Sequence, residues 1–398
     1  MTILEPASSA EVAAILAGAS HDRKRLLIRG AGTKLTWGEP VPAAPVDLVL
    51  STAKLNRVLA HRHGDLTATV QTGATLADVN RTLATHGQWL PLDPPWADRC
   101  TIGGLVATND SGPRRHRYGA PRDLIIGIDI VRADGVAAKA GGIVVKNVAG
   151  YDLGRLMTGS FGSLAVIVSA TFKLYPLPAA SRTVVIELAD VSRRGGPAWV
   201  GLYGLVASAL LASQLTPTAV EIQAPTPRLL VRFETTAVAA QQQADAVVAL
   251  ANASGATSTI VAGDEEAALW AEHGRRPWVG DGAVVKITLL PGDIASTLTW
   301  LAEATQGCEF DVVGRAGVGV LLARIGGDVE RQARVLSGLR ERLPPPTGSA
   351  VLVRGADELK SRVDPWGPLG GGLGVMRAIK RQFDPHGIVN PGRGPGGL

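Results

Sequence analysis

Aromatic residues are scarce in this chain of 398: Trp, Tyr and Phe together make up 4% of it, and charged residues only 19%. Basic runs interleaved with aromatics, the footprint of a nucleic-acid binder, do not occur, and the formal charge of +5 is spread along the chain. Cysteine is scarcer still. Cys100 and Cys308 lie far apart, so there is neither a disulfide framework nor a cysteine pair at metal-ligand spacing. That usage fits a reducing compartment, and we expect a cytoplasmic protein that meets the inner face of the plasma membrane only through partners. The opening MTILEPASSAEV has neither the basic nor the apolar part of a secretory leader, so none is expected. The most apolar run, 201–215, falls short of the roughly 20 residues that a membrane helix needs. The seven histidines form no H-x-x-x-H or H-E-x-x-H pair, so no metal is expected. Ser160, in Thr158-Gly159-Ser160-Phe161-Gly162, lacks the first glycine of a hydrolase elbow. No G-x-x-x-x-G-K-[ST] phosphate loop occurs.

What the chain has in quantity is glycine and proline, 48 and 25 residues, within a composition that is 46% hydrophobic. This describes a globular, turn-rich protein of two or three domains. The most informative stretch is 141–175, GGIVVKNVAGYDLGRLMTGSFGSLAVIVSATFKLY. A β-branched run, 143–145, leads through Lys146-Asn147 to Gly150-Tyr151-Asp152. Asp152 is placed to cap a short helix carrying Leu153, Leu156 and Met157 on one side. Gly159-Ser160-Phe161-Gly162 then releases the chain into a strand, predicted to turn Leu164, Val166, Val168, Ala170, Phe172 and Leu174 to one face. Glycine-bracketed turns beside a buried strand suit a phosphate-bearing cofactor, because successive amides can cradle an anion.

Elsewhere the spacing predicts a helix over 8–18 and a strand at 26–28 running into Arg29-Gly30-Ala31-Gly32-Thr33-Lys34. That loop reads equally as a phosphate cradle and as a tight turn; Leu35 stands where a dinucleotide fingerprint needs its last glycine. Strands at 46–50 and 66–71 and a helix over 76–86, started by Thr75, follow. The segment from Cys100 to Gly112 reads as a buried, close-packed turn, since Ile102, Leu105 and Val106 are apolar. Residues 112–119, GPRRHRYG, are either a solvated basic loop or a place where an arginine faces an anion. A strand at 124–131, a turn at 133–135 and a return strand at 136–145 come next. Composition changes after Pro176-Leu177-Pro178. Between 181 and 353, strands and helices alternate as expected for an α+β antiparallel sheet with helices on one face. The last helix, beginning near 375, is stopped by Asp384-Pro385.

GYDLGRLMTGSFGSL resembles the motif of FAD-binding domains of the vanillyl-alcohol-oxidase or PCMH type. The longer GGIVVKNVAGYDLGRLM, with Gly-Pro-Arg-Arg at 112–115, is similar more narrowly to the FAD-binding subunits of bacterial glycolate oxidases (glycolate dehydrogenases). Four segments, 29–34, 94–112, 141–166 and 375–393 with its DPHGIVNPGR, match that family in order. The resemblance implies an α+β fold: an FAD-binding domain in two parts over 1–178, a cap over 179–360, and a segment 361–398 returning to the first domain. It implies that FAD is held by Arg29, Gly30, Ala31, Gly32, Thr33 and Lys34 in the first loop. The second would supply Pro94, Cys100, Thr101, Gly103, Gly104, Ala107, Thr108, Asn109, Ser111 and Gly112. The third would supply Asn147, Tyr151, Gly159, Ser160, Gly162 and Val166, and the tail Asn390. Attachment is expected to be non-covalent, because Thr33 and Lys34 stand where covalently linked members carry a histidine. Arg115, Tyr118 and Lys146 are the catalytic candidates. Catalytic relatives carry cap histidines that bind a metal, whereas 313–320 here has none. The resemblance therefore implies a subunit working beside a catalytic FAD subunit and an iron–sulfur subunit, oxidising a small 2-hydroxy acid such as glycolate. A self-sufficient dehydrogenase of a hydroxy acid or polyol, and a redox-silent FAD-containing scaffold, remain as other readings.

Overall fold

The computed structural model describes residues 2–39, 45–143, 150–188 and 199–398. The chain divides into two compact units. Unit one takes residues 1–112, 118–177 and 369–398; unit two takes 113–117 and 178–368.

In unit one, β1 (Thr2–Leu4), β2 (Leu26–Arg29) and β3 (Leu48–Ser51) form a parallel sheet in the order β1-β3-β2. β4 (Val58–Arg62) and β5 (Thr67–Gln71) are followed by the short β6 (Gln88–Trp89). Then come β7 (Ile125–Arg132), β8 (Ala137–Gly141), β9 (Ala165–Lys173) and β10 (Tyr175–Pro176). An antiparallel sheet runs β4-β5-β9-β7-β8, and β6 pairs with β10. The predicted helices form where their caps lie. Ser8 accepts the Glu11 N–H at 3.2 Å to start Ser9–His21, and Thr75 accepts the Asp78 N–H at 3.1 Å to start Leu76–Ala84. Asp152 likewise caps Leu153–Met157, accepting the Arg155 N–H at 2.9 Å.

Two expectations fail here. The segment after Cys100 is a helix, Ile102–Thr108, not a turn, with Thr101 as its cap and Asn109 ending it in the left-handed conformation. Its paired glycines masked the pattern, but Ile102, Leu105 and Val106 bury one face at helical spacing. The second failure is β9. Its apolar residues do not share a face: Val166 and Val168 enter one core, while Ala165, Ile167, Ala170 and Phe172 enter another. A bulge is the cause. Asp129 pairs with Ser169 but Ile130 pairs with Ile167, so Val168 is an extra residue and the alternation changes phase.

Unit two is one antiparallel sheet of β11 (Ala180–Glu187), β12 (Ala219–Ala224), β13 (Arg228–Thr235), β14 (Thr257–Val261), β15 (Ala283–Thr288), β16 (Phe310–Arg315), β17 (Val320–Ile325) and β18 (Ser349–Arg354). The order is β14-β11-β13-β12-β16-β17-β15-β18. Its main core packs one face of this sheet against the helices Trp199–Ala212, Ala237–Ala253, Ile294–Ala304 and Val329–Arg342. The helices are not confined to that face. Gly263–Arg275 covers the other, where Leu269 and Trp270 pack on Val185, Leu230 and Val261. Missing from the sequence reading were the helix Trp199–Ala212, apolar all round, and β16. β16 hides behind Gly314, where a Cβ would meet the Leu321 side chain of β17.

Candidate active site

The site grows from the end of β2. Leaving Arg29, the chain turns through Gly30 and through Gly32, whose φ of +79° only glycine adopts without strain. Gly30 packs directly on the cap of the next helix, since a Cβ there would fall on Thr101 Oγ1. That helix is anchored from behind. Gly103 N–H donates to Thr72 O at 2.8 Å, and Ile102 N–H to Ala74 O at 2.9 Å. Its last turn carries the third glycine segment: Gly159 N–H donates to Val106 O at 3.0 Å and Phe161 N–H to Ala107 O at 2.8 Å.

The tail closes the arrangement. Asn390 Oδ1 accepts the Ile28 N–H at 2.7 Å, and its Nδ2 donates to Phe161 O at 2.9 Å. One side chain therefore fastens the first loop to the third. Asn390 is itself fixed by its neighbours. The Lys380 ammonium donates to Ser163 O (2.6 Å), Val389 O (3.0 Å) and Asp384 Oδ2 (2.6 Å), while the Asp384 carboxylate accepts the N–H groups of Ile388 and Val389. Burial pulls the Lys380 pKa down against the pull of Asp384.

Between these pieces lie two adjoining pockets of about 70 Å³ each, sharing Arg29, Gly30, Gly104, Ala107, Phe161 and Asn390. Ala31, Gly32, Thr33, Lys34, Thr101 and Thr108 also line one, and Gly103 and Gly162 belong to the other. The lining is backbone and cation. Lys34 and Asp110 form a buried pair 3.2 Å apart, yet neither Lys34 Nζ nor Asp110 Oδ2 is aligned for a hydrogen bond. Arg393, which also lines the first pocket, donates from Nη2 to Lys34 O and Trp37 O, and burial lowers its pKa to about 10. Three cations, Arg29, Lys34 and Arg393, thus stand against one carboxylate. Arg393 and Asp110 were not picked from the sequence. For Arg393 the signal was there, three residues past Asn390 in the same tail motif.

Other predicted residues lie elsewhere. Cys100 sits in the core behind the helix, where burial pushes its thiol up to about 11. Val166 points into the opposite core, and Ala165 and Ile167 line the second pocket in its place, as the β9 bulge requires. Gly159 and Ser160 open on a different cavity of about 520 Å³, lined also by Arg122, Arg155, Met376 and Ile379. Tyr151 is 91% exposed. Pro94 and Ser111 are buried, Asn109 turns its side chain to the Arg122 N–H, and Gly112 abuts the Asp93 carbonyl, so these four serve the loops rather than line the pockets. Asn147 and Lys146 fall outside the described residues. The remaining catalytic candidates, Arg115 and Tyr118, begin and end one short helix, Arg115–Tyr118, and neither lines the two pockets; Tyr118 meets Trp89 and Tyr175 edge-on. Arg114 is committed to a fork on Glu234, at 2.9 and 2.7 Å. Among the described residues, no three His, Cys, Asp or Glu side chains are grouped to hold a metal, and no helix is long and apolar enough to cross a membrane.

Residues 2–153 match the family described as "FAD binding domain", and residues 369–393 match "FAD linked oxidases, C-terminal domain". The chain is 30% identical to the D-2-hydroxyglutarate dehydrogenase of Xanthomonas citri over 424 residues, which span 99% of this chain and 89% of that one. It is 28% identical to the glycolate oxidase subunit GlcD of Bacillus subtilis over 417 residues, 98% and 88% of the two chains. Against the glycolate oxidase subunit GlcE of Escherichia coli it is 36% identical over 171 residues, 43% of this chain and 48% of that one. Among solved structures, an alkyldihydroxyacetonephosphate synthase shares the fold, with a TM-score of 0.73 at 18% identity over 98% of this chain and 75% of the other.

Proposed function

This chain belongs to the family of FAD-linked oxidases with a PCMH-type FAD-binding domain, and from that premise we propose that it is the flavin subunit of a glycolate-oxidase-type complex. It oxidises a small 2-hydroxy acid, glycolate to glyoxylate in the simplest case, and electrons pass on to an iron–sulfur partner and a quinone. The observation that carries this reading is the convergence of two glycine segments, the third turn and the tail on one cation-lined cradle in unit one.

The cradle's chemistry fits FAD. A diphosphate carries two negative charges, and Arg29, Lys34 and Arg393 less Asp110 leave a matching positive surplus beside exposed backbone amides. The imperfectly aligned, buried Lys34 ammonium is suited to a further acceptor. When bound, FAD supplies the two-electron acceptor; the chain's part is to hold and orient it. Attachment is non-covalent in this reading: the first loop offers Thr33 and Lys34, and Cys100 is a protonated core thiol. The partner subunits rest on the similarity to GlcD and GlcE.

The test is purification of the tagged chain from its native cells, with identification of co-purifying chains and an absorbance spectrum. A yellow complex that releases intact FAD on denaturation and bleaches with glycolate or D-lactate under anaerobic conditions is expected. A colourless protein, flavin retained on the denatured chain, or a complex whose flavin ignores both acids would sink it.

A further inference from the structure

The third glycine segment has two faces, and the cradle uses only one. Phe161 and Gly162 line the two small pockets. The residues flanking them, Ser160 and Ser163, line the separate cavity of about 520 Å³ together with Gly159. Two helices, Leu153–Met157 and Leu373–Phe383, contribute to its walls, and all its lining residues belong to unit one.

The volume is that of a small-molecule site, and the lining has the matching character, mostly apolar with a few polar groups. Leu156, Leu164, Met376 and Ile379 supply the apolar part. Arg155 and Arg122 supply the charge, and they differ. Arg155 lies 3.4 Å from Asp152, whereas the Arg122 guanidinium has no ion-pair partner among the described residues. Ser160 adds a buried hydroxyl whose Oγ has no hydrogen-bond partner, the mark of a group that a ligand completes.

We propose that this cavity binds a small amphipathic acid, its apolar body against Leu156, Leu164, Met376 and Ile379 and its carboxylate on Arg122, and that the bound acid tightens the hold of the cradle on FAD. A planar guanidinium can bind both oxygens of a carboxylate, which singles out an acid over an alcohol or an amide. The coupling follows from the turn between the two sites. Gly159 and Phe161 tie it to the last turn of the helix Ile102–Thr108, and Lys380 ties down Ser163 O. Gly159, Phe161 and Gly162 have φ of +84°, +55° and +67°, a conformation that Phe161, unlike the glycines, adopts against its own side chain. A ligand packed on the outer face holds this turn, and Phe161 with it, in the arrangement the cradle needs. By linkage each ligand then strengthens the other.

The site is independent of the flavin chemistry; only the coupling rests on the FAD reading above. The FAD-loaded full chain is titrated calorimetrically with octanoate, octanamide and acetate. Octanoate should bind, octanamide should bind at least about threefold more weakly, and acetate, which lacks the apolar body, not measurably. Arg122→Gln should bring octanoate down to the level of octanamide. Met376 is 40% exposed, so Met376→Glu should spare the fold while abolishing octanoate binding by like charge. FAD release, followed as the rise of free-flavin fluorescence after dilution, should slow about fivefold or more in saturating octanoate. In Met376→Glu it should not respond. Circular dichroism and FAD content report folding; should Arg122→Gln not fold, Met376→Glu decides. No octanoate binding, equal binding of octanoate and octanamide, or undiminished binding in Met376→Glu would each overturn the proposal. So would unchanged FAD release, faster release (octanoate then competes for the cradle), or a wild-type dimer that Met376→Glu splits, whose occupant is a second copy. The two readings fail separately: a flavin that ignores glycolate and D-lactate, in a chain that still binds octanoate and keeps FAD longer with it, sinks the oxidase complex and leaves this site standing.

Discussion

A valine at Gly104 and a valine at Gly162 would damage the cradle by different routes. Around Gly104 the nearest atom to a new Cβ is Thr101 Oγ1 at 3.3 Å, so the side chain projects into the pockets with little strain. Gly104→Val should therefore leave circular dichroism and the denaturation midpoint nearly unchanged while abolishing FAD retention, read as flavin stoichiometry. Gly162 has φ +67°, and its Cβ would come within 2.7 Å of Asn390 Nδ2. Gly162→Val should cost about 1–3 kcal/mol of stability in urea as well as the cofactor. From sequence the two glycines looked alike. What separates them is a neighbour 228 positions away, and no local pattern carries that.

At the scale of elements, the segment 113–117 is held in unit two by Arg114. Burial alone would raise the pKa of Glu234, but Arg114, with its fork, and Arg232 hold it below 4.5. A carboxylate whose folded pKa is lowered gives stability that is fully present above its unfolded value, near 4.5, and lost as pH falls through the folded one. Wild type should exceed Glu234→Gln by about 3 kcal/mol at pH 7, and the gap should close progressively below pH 4.5 in acid–urea titrations. Lys380 plays the parallel part for the tail. Lys380→Met leaves Asp384 buried without its cation, so a loss of about 3–5 kcal/mol and release of FAD are expected on denaturation and dialysis. Most elements were legible because their caps and apolar runs are local: Thr75, Asp152 and the β-branched and aliphatic runs of β11 to β13 needed no tertiary information. The failures were the helix after Thr101, disguised by Gly103-Gly104, the phase of β9, set by one bulged residue, and the second helical face of unit two. Bulges and layer membership are fixed by partner strands, which a single segment does not record.

For the whole molecule, the glycine loops and the tail were legible as parts of one site, while their division of labour was not. Cys100 and Val166 belong to cores, Asn390 spends its amide on the protein, and Arg393 joins the cations. Hydrogen exchange with and without FAD should show this directly. Added protection is expected at 29–34, 101–108, 159–162 and 388–393, and none along β11 to β18; protection spread over those strands would place the cofactor elsewhere. The Asn390 clamp has a further consequence, in time rather than space. It joins residues 362 positions apart. At ribosomal speeds of about 5–20 residues per second, Ile28 waits roughly 20–70 s for the residue that completes its loop. Unit two has left the ribosome by then. Cofactor loading is thus a late event in the life of each molecule, and translation stopped between codons 167 and 390 yields a chain with its entire N-terminal flavin motif and no flavin.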